Sequence, residues 1–288
     1  MNPIDEKVFN GISKTINRFR EKPFHYFTEA DIHSSLLNDM MSGGSDVMAH
    51  RPVDPIMHHI SVSLIHQEYP TNFRYRKEDM ISGYDDLQIT ELGFVDEKDK
   101  TFGDRGNYDL AVMNPEFAVR MLENNPLQEA LEHLINKDNQ RAISRKTVSH
   151  EDFKRELLYA IEVKFIHPFN ARNKNMLDEI IKYDNKLKIA YKNSGGFVRP
   201  INLVFCSTES KIRSDNKQSV VQIAKEYIEK MTVTGYDGTD IHKTPEVVTI
   251  FIESYLNQND LQKLTVKPVI SGGIGNWVLE LKDILRIK

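Results

Sequence analysis

Apolar residues recur along this chain with two different periods, and the change of period divides it into elements. Short apolar or alternating runs predict strands at "HQEYPTNFRYRK" (66–77), "NYDLAVMN" (107–114), "LYAIEVKFI" (158–166), "PINLVFCST" (200–208) and "EVVTIFIES" (246–254). Helical spacing takes over between them. Thr28 is a good N-cap, with Glu29 and Asp31 in the first turn of a helix through "EADIHSSLLNDMM" that stops at Gly43-Gly44. After Asn114-Pro115, Leu127, Leu131, Leu134 and Ile135 form one apolar face, with Pro126 suited to the first turn. A second helix follows Ser149, opened by Glu151 and Asp152. Met176, Ile180, Tyr183, Leu187 and Ala190 make a further stripe that ends at Gly195-Gly196, and Val220, Ile223, Ala224, Tyr227, Ile228 and Met231 another. The resulting order is helix, two strands, helical insert, strand, helix, strand, helix, strand. It predicts one α/β domain over 1–288, with a core at about 25–255 and an insert at about 117–157. The expected architecture is a mixed central sheet with helices on both faces.

Composition narrows the class. At 40% hydrophobic and 28% charged, the 288 residues suit a globular protein with an ample core. No run approaches the roughly 20 apolar residues of a membrane helix. The first residues, "MNPIDEKVFNGISKTINRFREK", are mixed in charge and lack an apolar signal region, so a cytoplasmic location is expected. The one cysteine, Cys206, excludes an internal disulfide and multi-cysteine metal sites; within "INLVFCSTES" it reads as a small buried hydrophobe. A net charge of −4 gives no global attraction for nucleic acid. A carboxylate-rich site would itself lower that total.

One strand asks for an explanation. In "YAIEVKF" the alternation puts Ile161, Val163 and Phe165 on one face and Glu162 with Lys164 on the other. Burying either charge alone is costly, so the pair needs partners or a metal. An acid two residues before a lysine recurs in this chain, for instance at Asp96, Asp152, Asp184, Glu209, Asp215 and Glu280. Only "WVLELKDIL", with Glu280 and Lys282, has a comparably apolar frame. Glu162 is favoured because the preceding strand, "RGNYDLAVMN", carries Asp109 with Leu110 and Val112 on the opposite face. Two carboxylates on neighbouring strands can aim at one hard cation, Mg²⁺ or Mn²⁺. The Val163 carbonyl can add a third oxygen, and Lys164 can position and help deprotonate a water.

Asp109 followed by Glu162-Val163-Lys164, on strands after an acidic helix, resembles the PD-(D/E)xK nuclease superfamily with its restriction-endonuclease-like fold. The resemblance spans residues 25–210 and covers helix, three strands, helix and strand. It implies Asp109 and Glu162 as metal ligands and Lys164 as the catalytic lysine. An acid on the first helix of many members maps to Glu29. Tyr108 stands where the motif has proline, and a helical insert separates two strands that the family usually joins by a hairpin.

The expected activity is metal-dependent endonucleolytic hydrolysis of nucleic acid, with DNA as the first substrate to test. Arg74, Arg76, Arg172, Lys174 and Lys182 are candidate phosphate contacts, as are Lys77, Arg141, Arg145, Lys146 and Lys186. Tyr69, Phe73 and Tyr75 can stack on bases, though sheet packing is the simpler reading. Glu68 is a further candidate acid or a solvated edge-strand residue. His33, four residues after Glu29, can share the site or be an ordinary surface or core histidine. His50, His58, His59 and His66 fit no zinc spacing. "SGGIGNW" lacks the lysine and helix of a phosphate loop and reads as a turn. Cutting both strands is compatible with a homodimer or a partner subunit. The alternatives are a non-catalytic nucleic-acid or protein-binding member of the same fold, and a glycoside hydrolase, whose acid pair has no use for a strand lysine.

Overall fold

Ile4, Val8, Ile12, Ile16 and Phe19 recur at helical spacing and are all buried, on the inner side of a helix, α1 (Pro3–Glu21). The computed structural model describes residues 3–22, 25–42, 47–52, 59–75, 90–91, 104–128, 130–131, 154–166, 176–209, 247–256 and 269–271. α1 is not among the elements expected from sequence. It packs against α2 (Glu29–Met41), whose bounds are those expected. Thr28 caps α2: its hydroxyl accepts from Asp31 N at 3.3 Å, and Asp31 Oδ2 accepts from Thr28 N at 2.8 Å. The Asp31 carboxyl is held below its ordinary pKa by the Phe27 and Thr28 amides. At Gly11 the two helices touch so closely that a Cβ would sit 2.9 Å from Met40 N and 3.0 Å from its Cα.

A hairpin of β1 (Met48–Pro52) and β2 (His59–Ser63) forms a separate two-stranded sheet. The main sheet contains β3 (Ile65–Tyr75), β4 (Thr90–Glu91), β5 (Asp104–Met113), β6 (Leu157–Ile166), β7 (Arg199–Glu209), β8 (Val248–Leu256) and β9 (Val269–Ser271). Its order is β4-β3-β5-β6-β7-β8-β9. β3, β5 and β6 pair antiparallel, while β6, β7 and β8 run parallel. Parallel neighbours need a crossover, and α4 (Met176–Asn193) supplies the one between β6 and β7. It ends at Gly195 and Gly196, whose φ of 65° and 84° suit glycine. Helix α3 (Pro115–Asn124) follows β5, with Asn114 as its N-cap. The chain is therefore mixed α/β, with helices on both faces of the sheet. No helix among the described residues is long and apolar enough to cross a membrane.

The two faces of β6 differ. Ile161, Val163 and Phe165 join the core beneath α1 and α2, where Phe19 meets Phe165 and Phe205 edge-on. Ile166, Val204, Cys206 and Phe251 pack with Ile180 and Ile181 of α4. Cys206 is a buried free thiol, as expected. The predicted helix at 220–231, most of the insert (132–153), the Gly-rich turn after Ser271 and Glu280 lie outside the described residues.

Candidate functional site

The site forms where β5 and β6 part. Their last ladder pair is Leu110 with Ile161, so Asp109 and Glu162 are the next residues outward on the two strands. Past that point β6 pairs with β7 but lacks a ladder partner on its β5 side among the described residues. Carboxylates take the exposed amides of β6. Asp109 Oδ2 accepts from Val163 N at 2.6 Å, and Glu29 Oε2, from the first turn of α2, accepts from Phe165 N at 3.0 Å. In a strand the N–H and C=O of one residue point the same way. The Val163 carbonyl therefore shares this open edge with Asp109.

Glu162 points under α4 and is 0% exposed. Its Oε1 lies 2.6 Å from Lys186 Nζ, an ion pair outside hydrogen-bond alignment, and neither carboxylate oxygen accepts a hydrogen bond among the described residues. Beside it on β7, the fully buried Asn202 Oδ1 also accepts none. Burial pushes the Glu162 carboxyl well above its ordinary pKa; Lys186 opposes the shift, while Asp109 and Glu29 add to it. Asp109 is raised for the same first reason, against the pull of His33 and the Val163 amide.

Two lysines flank Tyr183. Lys164 Nζ is 2.5 Å from Glu179 Oε2 and 3.5 Å from Glu29 Oε2, and 5.6 Å from the Tyr183 ring centroid. Burial alone would lower its pKa, but Glu179 and Glu29 outweigh it and the value is raised. Lys186 is a candidate surface phosphate contact by sequence. It is instead buried, donating to Asn107 O at 2.8 Å and lying 5.1 Å from the Tyr183 centroid. The Tyr183 phenol is held far above its ordinary value by burial and by the surrounding carboxylates.

His33 and Glu68 complete the cluster. His33 Nε2 is 3.6 Å from Asp109 Oδ2 and makes no hydrogen bond among the described residues. One ligand atom from each of His33, Glu68 and Asp109 lies within 4.8 Å of the others. Glu68 stands opposite Asp109, between the pairs Gln67–Leu110 and Tyr69–Tyr108, and adopts φ 51°, a left-handed backbone that non-glycine residues rarely take. Strain of this kind costs on the order of 1–3 kcal/mol and gathers at functional sites.

The fold thus brings together Glu29, Asp109, Glu162, Val163 and Lys164, the residues expected from sequence, with His33 and Glu68, which sequence left open between the site and an ordinary role, and adds Glu179 and Lys186. Five carboxylates gather with two ammonium groups, so acids outnumber bases, and the Glu162 oxygens accept no aligned hydrogen bond among the described residues. That donor set fits a hard divalent cation. Glu179 could have been found in sequence as the acid one helical turn before Tyr183, but nothing local linked it to Lys164. Lys182 is half-buried on α4, apart from this cluster. Arg76, Arg172 and Lys174 lie outside the described residues, as does the side chain of Arg74. Tyr69 is sheet packing, its hydroxyl donating to Glu156 at 2.5 Å. His50 meets Ser61 Oγ at 2.7 Å. No family model, curated protein or solved structure matches the chain.

Proposed function

We propose that this protein is a metal-dependent nuclease of the restriction-endonuclease-like fold, hydrolysing phosphodiester bonds in nucleic acid. The order α2, β3, β5, β6, α4, β7, with β6 and β7 parallel, supports that fold. The observation that carries the reading is the fully buried Glu162 carboxylate, paired with the Lys186 ammonium through Oε1, beside Asp109 and an open strand edge. Asp109, Glu162 and the Val163 carbonyl would hold Mg²⁺ or Mn²⁺, with His33, Glu68 and Glu29 at its rim. Bound there, the ion would neutralise phosphate charge and ease deprotonation of a water. Lys164, fixed by Glu179 and Glu29, acts as an ammonium: it orients the phosphate and attacking water and does not take up the proton. Lys186 keeps Glu162 in place from the opposite side.

The test is to incubate the protein with linear, circular and single-stranded DNA and with RNA, in Mg²⁺, Mn²⁺ or EDTA, alongside Asp109→Ala. Cleavage that needs both the metal and Asp109 is the expected result. Glu162→Ala and Lys164→Ala should remove it as well, whereas Glu280→Ala should not. Failure to cleave any substrate or bind Mn²⁺ would overturn the reading.

A further inference from the structure

The C-terminal half of α1 and the residue that follows it carry a cationic stripe that plays no part in the chemistry above. Lys14, Arg18 and Lys22 follow at four-residue spacing, each about 6 Å further along the helix. All three are exposed, and with Asn17, Glu21 and His25 they line a cleft of about 450 Å³. Arg18 is already oriented: its guanidinium donates to Asp39 Oδ1 at 2.8 Å and to Ser35 Oγ at 2.6 Å. Two residues beyond His25, Phe27 is 74% exposed. Its backbone is fixed, because Phe27 N donates to Asp31 Oδ2 at 2.9 Å in the cap of α2. The anchored backbone holds a large apolar ring in water, where it can stack on a flat partner.

Both features connect to the candidate site through their neighbours in the chain. Phe27 lies two residues before Glu29. Phe19, next to Arg18, packs on Phe165, the residue whose amide Glu29 holds. From this placement we propose that the α1 cleft guides an unpaired nucleic-acid strand to the site, with Lys14, Arg18 and Lys22 on its phosphates and Phe27 stacked on a base. Stacking singles out an unpaired strand, because a duplex hides its base faces. The proposal rests on the nuclease reading and names the form of substrate that the site takes.

The experiment is fluorescence anisotropy with a labelled oligothymidylate and a labelled duplex, in EDTA so that nothing is cut. The proteins are wild type, Lys14→Ala/Lys22→Ala and Phe27→Ala, each checked for an unchanged melting temperature. The double variant should bind the single strand at least tenfold more weakly. Its slope of log affinity against log salt should be shallower by about 1.4, from two lost phosphate contacts. Phe27→Ala should weaken single-strand binding roughly five- to hundredfold and leave duplex binding unchanged. Unchanged affinity and slope in the double variant, or equal loss of strand and duplex in Phe27→Ala, would overturn the proposal. If wild type binds nucleic acid or cleaves it with Mn²⁺ in that case, only this surface falls. If it does neither, the nuclease reading falls too.

Discussion

Lys186 Nζ lies 2.6 Å from Glu162 Oε1 in a place where the two side chains are only 6% and 0% exposed. Each charge would be costly there without the other. The Asn107 carbonyl fixes the ammonium on its far side at 2.8 Å. Lys186→Met should therefore destabilise the metal-free protein by about 3–5 kcal/mol at about pH 8. The loss should shrink near pH 5, where Glu162 can relieve itself by protonation. Adding Glu162→Gln to Lys186→Met should restore most of the stability. A double-mutant cycle by urea unfolding measures the coupling, and purely additive losses would mean that the pair is not coupled.

Proton uptake by the site sets the sign of its pH dependence. Burial raises Glu162 well above 4.5 and raises Asp109 above 3.8. Over that interval the folded protein holds protons that the unfolded chain has released. Stability therefore falls as pH rises from about those ordinary values through the raised ones. In EDTA the melting temperature of wild type should decline from about pH 5 upward more steeply than that of Glu162→Gln. A divalent ion that binds these carboxylates replaces the protons, so excess Mn²⁺ should remove the decline in wild type alone. Parallel curves for the two proteins in EDTA would show that Glu162 is not the group responsible.

Sequence revealed the parts of the fold that are set locally. The Thr28 cap, the apolar runs around Asp109 and Glu162, and the Gly195-Gly196 stop each carry their own signal, and the structure follows them. It also allowed Asp109 and Glu162 to stand on neighbouring strands, as the family resemblance implies, and β5 and β6 do pair. What it could not show depends on packing. α1 is the exception, because Ile4, Val8, Ile12, Ile16 and Phe19 carry a helical signal in the sequence that the interleaved charges masked. The β1–β2 hairpin lacks a two-residue Asn-Gly or Asp-Gly turn. Lys186 and Lys182 look alike as text, four residues apart on α4. Only the rotation of that helix over Glu162 decides which of them is buried.

The contact between α1 and α2 reverses the usual effect of replacing glycine in a helix. By propensity alone, Gly11→Ala should stabilise α1 by about 1 kcal/mol. The added methyl, however, would lie 2.9 Å from Met40 N and 3.0 Å from its Cα, and backbone cannot rotate away as a side chain can. The helices would have to separate, pulling α2 and Glu29 from the sheet. A net loss of roughly 1–3 kcal/mol is expected. Urea unfolding measures it, and a gain in stability would mean that the helix interface yields freely.

Glu68 combines a strained backbone with a place beside Asp109, and one substitution can separate the two. At φ 51° a glutamate costs about 1–2 kcal/mol more than a residue at ease in the left-handed region. Asparagine tolerates that conformation and removes a negative charge facing Asp109. Glu68→Asn should thus stabilise the protein in EDTA by about 1 kcal/mol. If the strain holds a ligand in place, the same change should weaken Mn²⁺ binding by roughly tenfold, as loss of a supporting metal contact does elsewhere. The two effects have opposite signs, so general damage to β3 cannot produce both. Urea unfolding in EDTA reads the first and titration calorimetry the second. Lower stability in EDTA would mean that the Glu68 side chain braces β3, through its 3.4 Å contact with Asn107 Nδ2, and that the strained backbone does not serve the site.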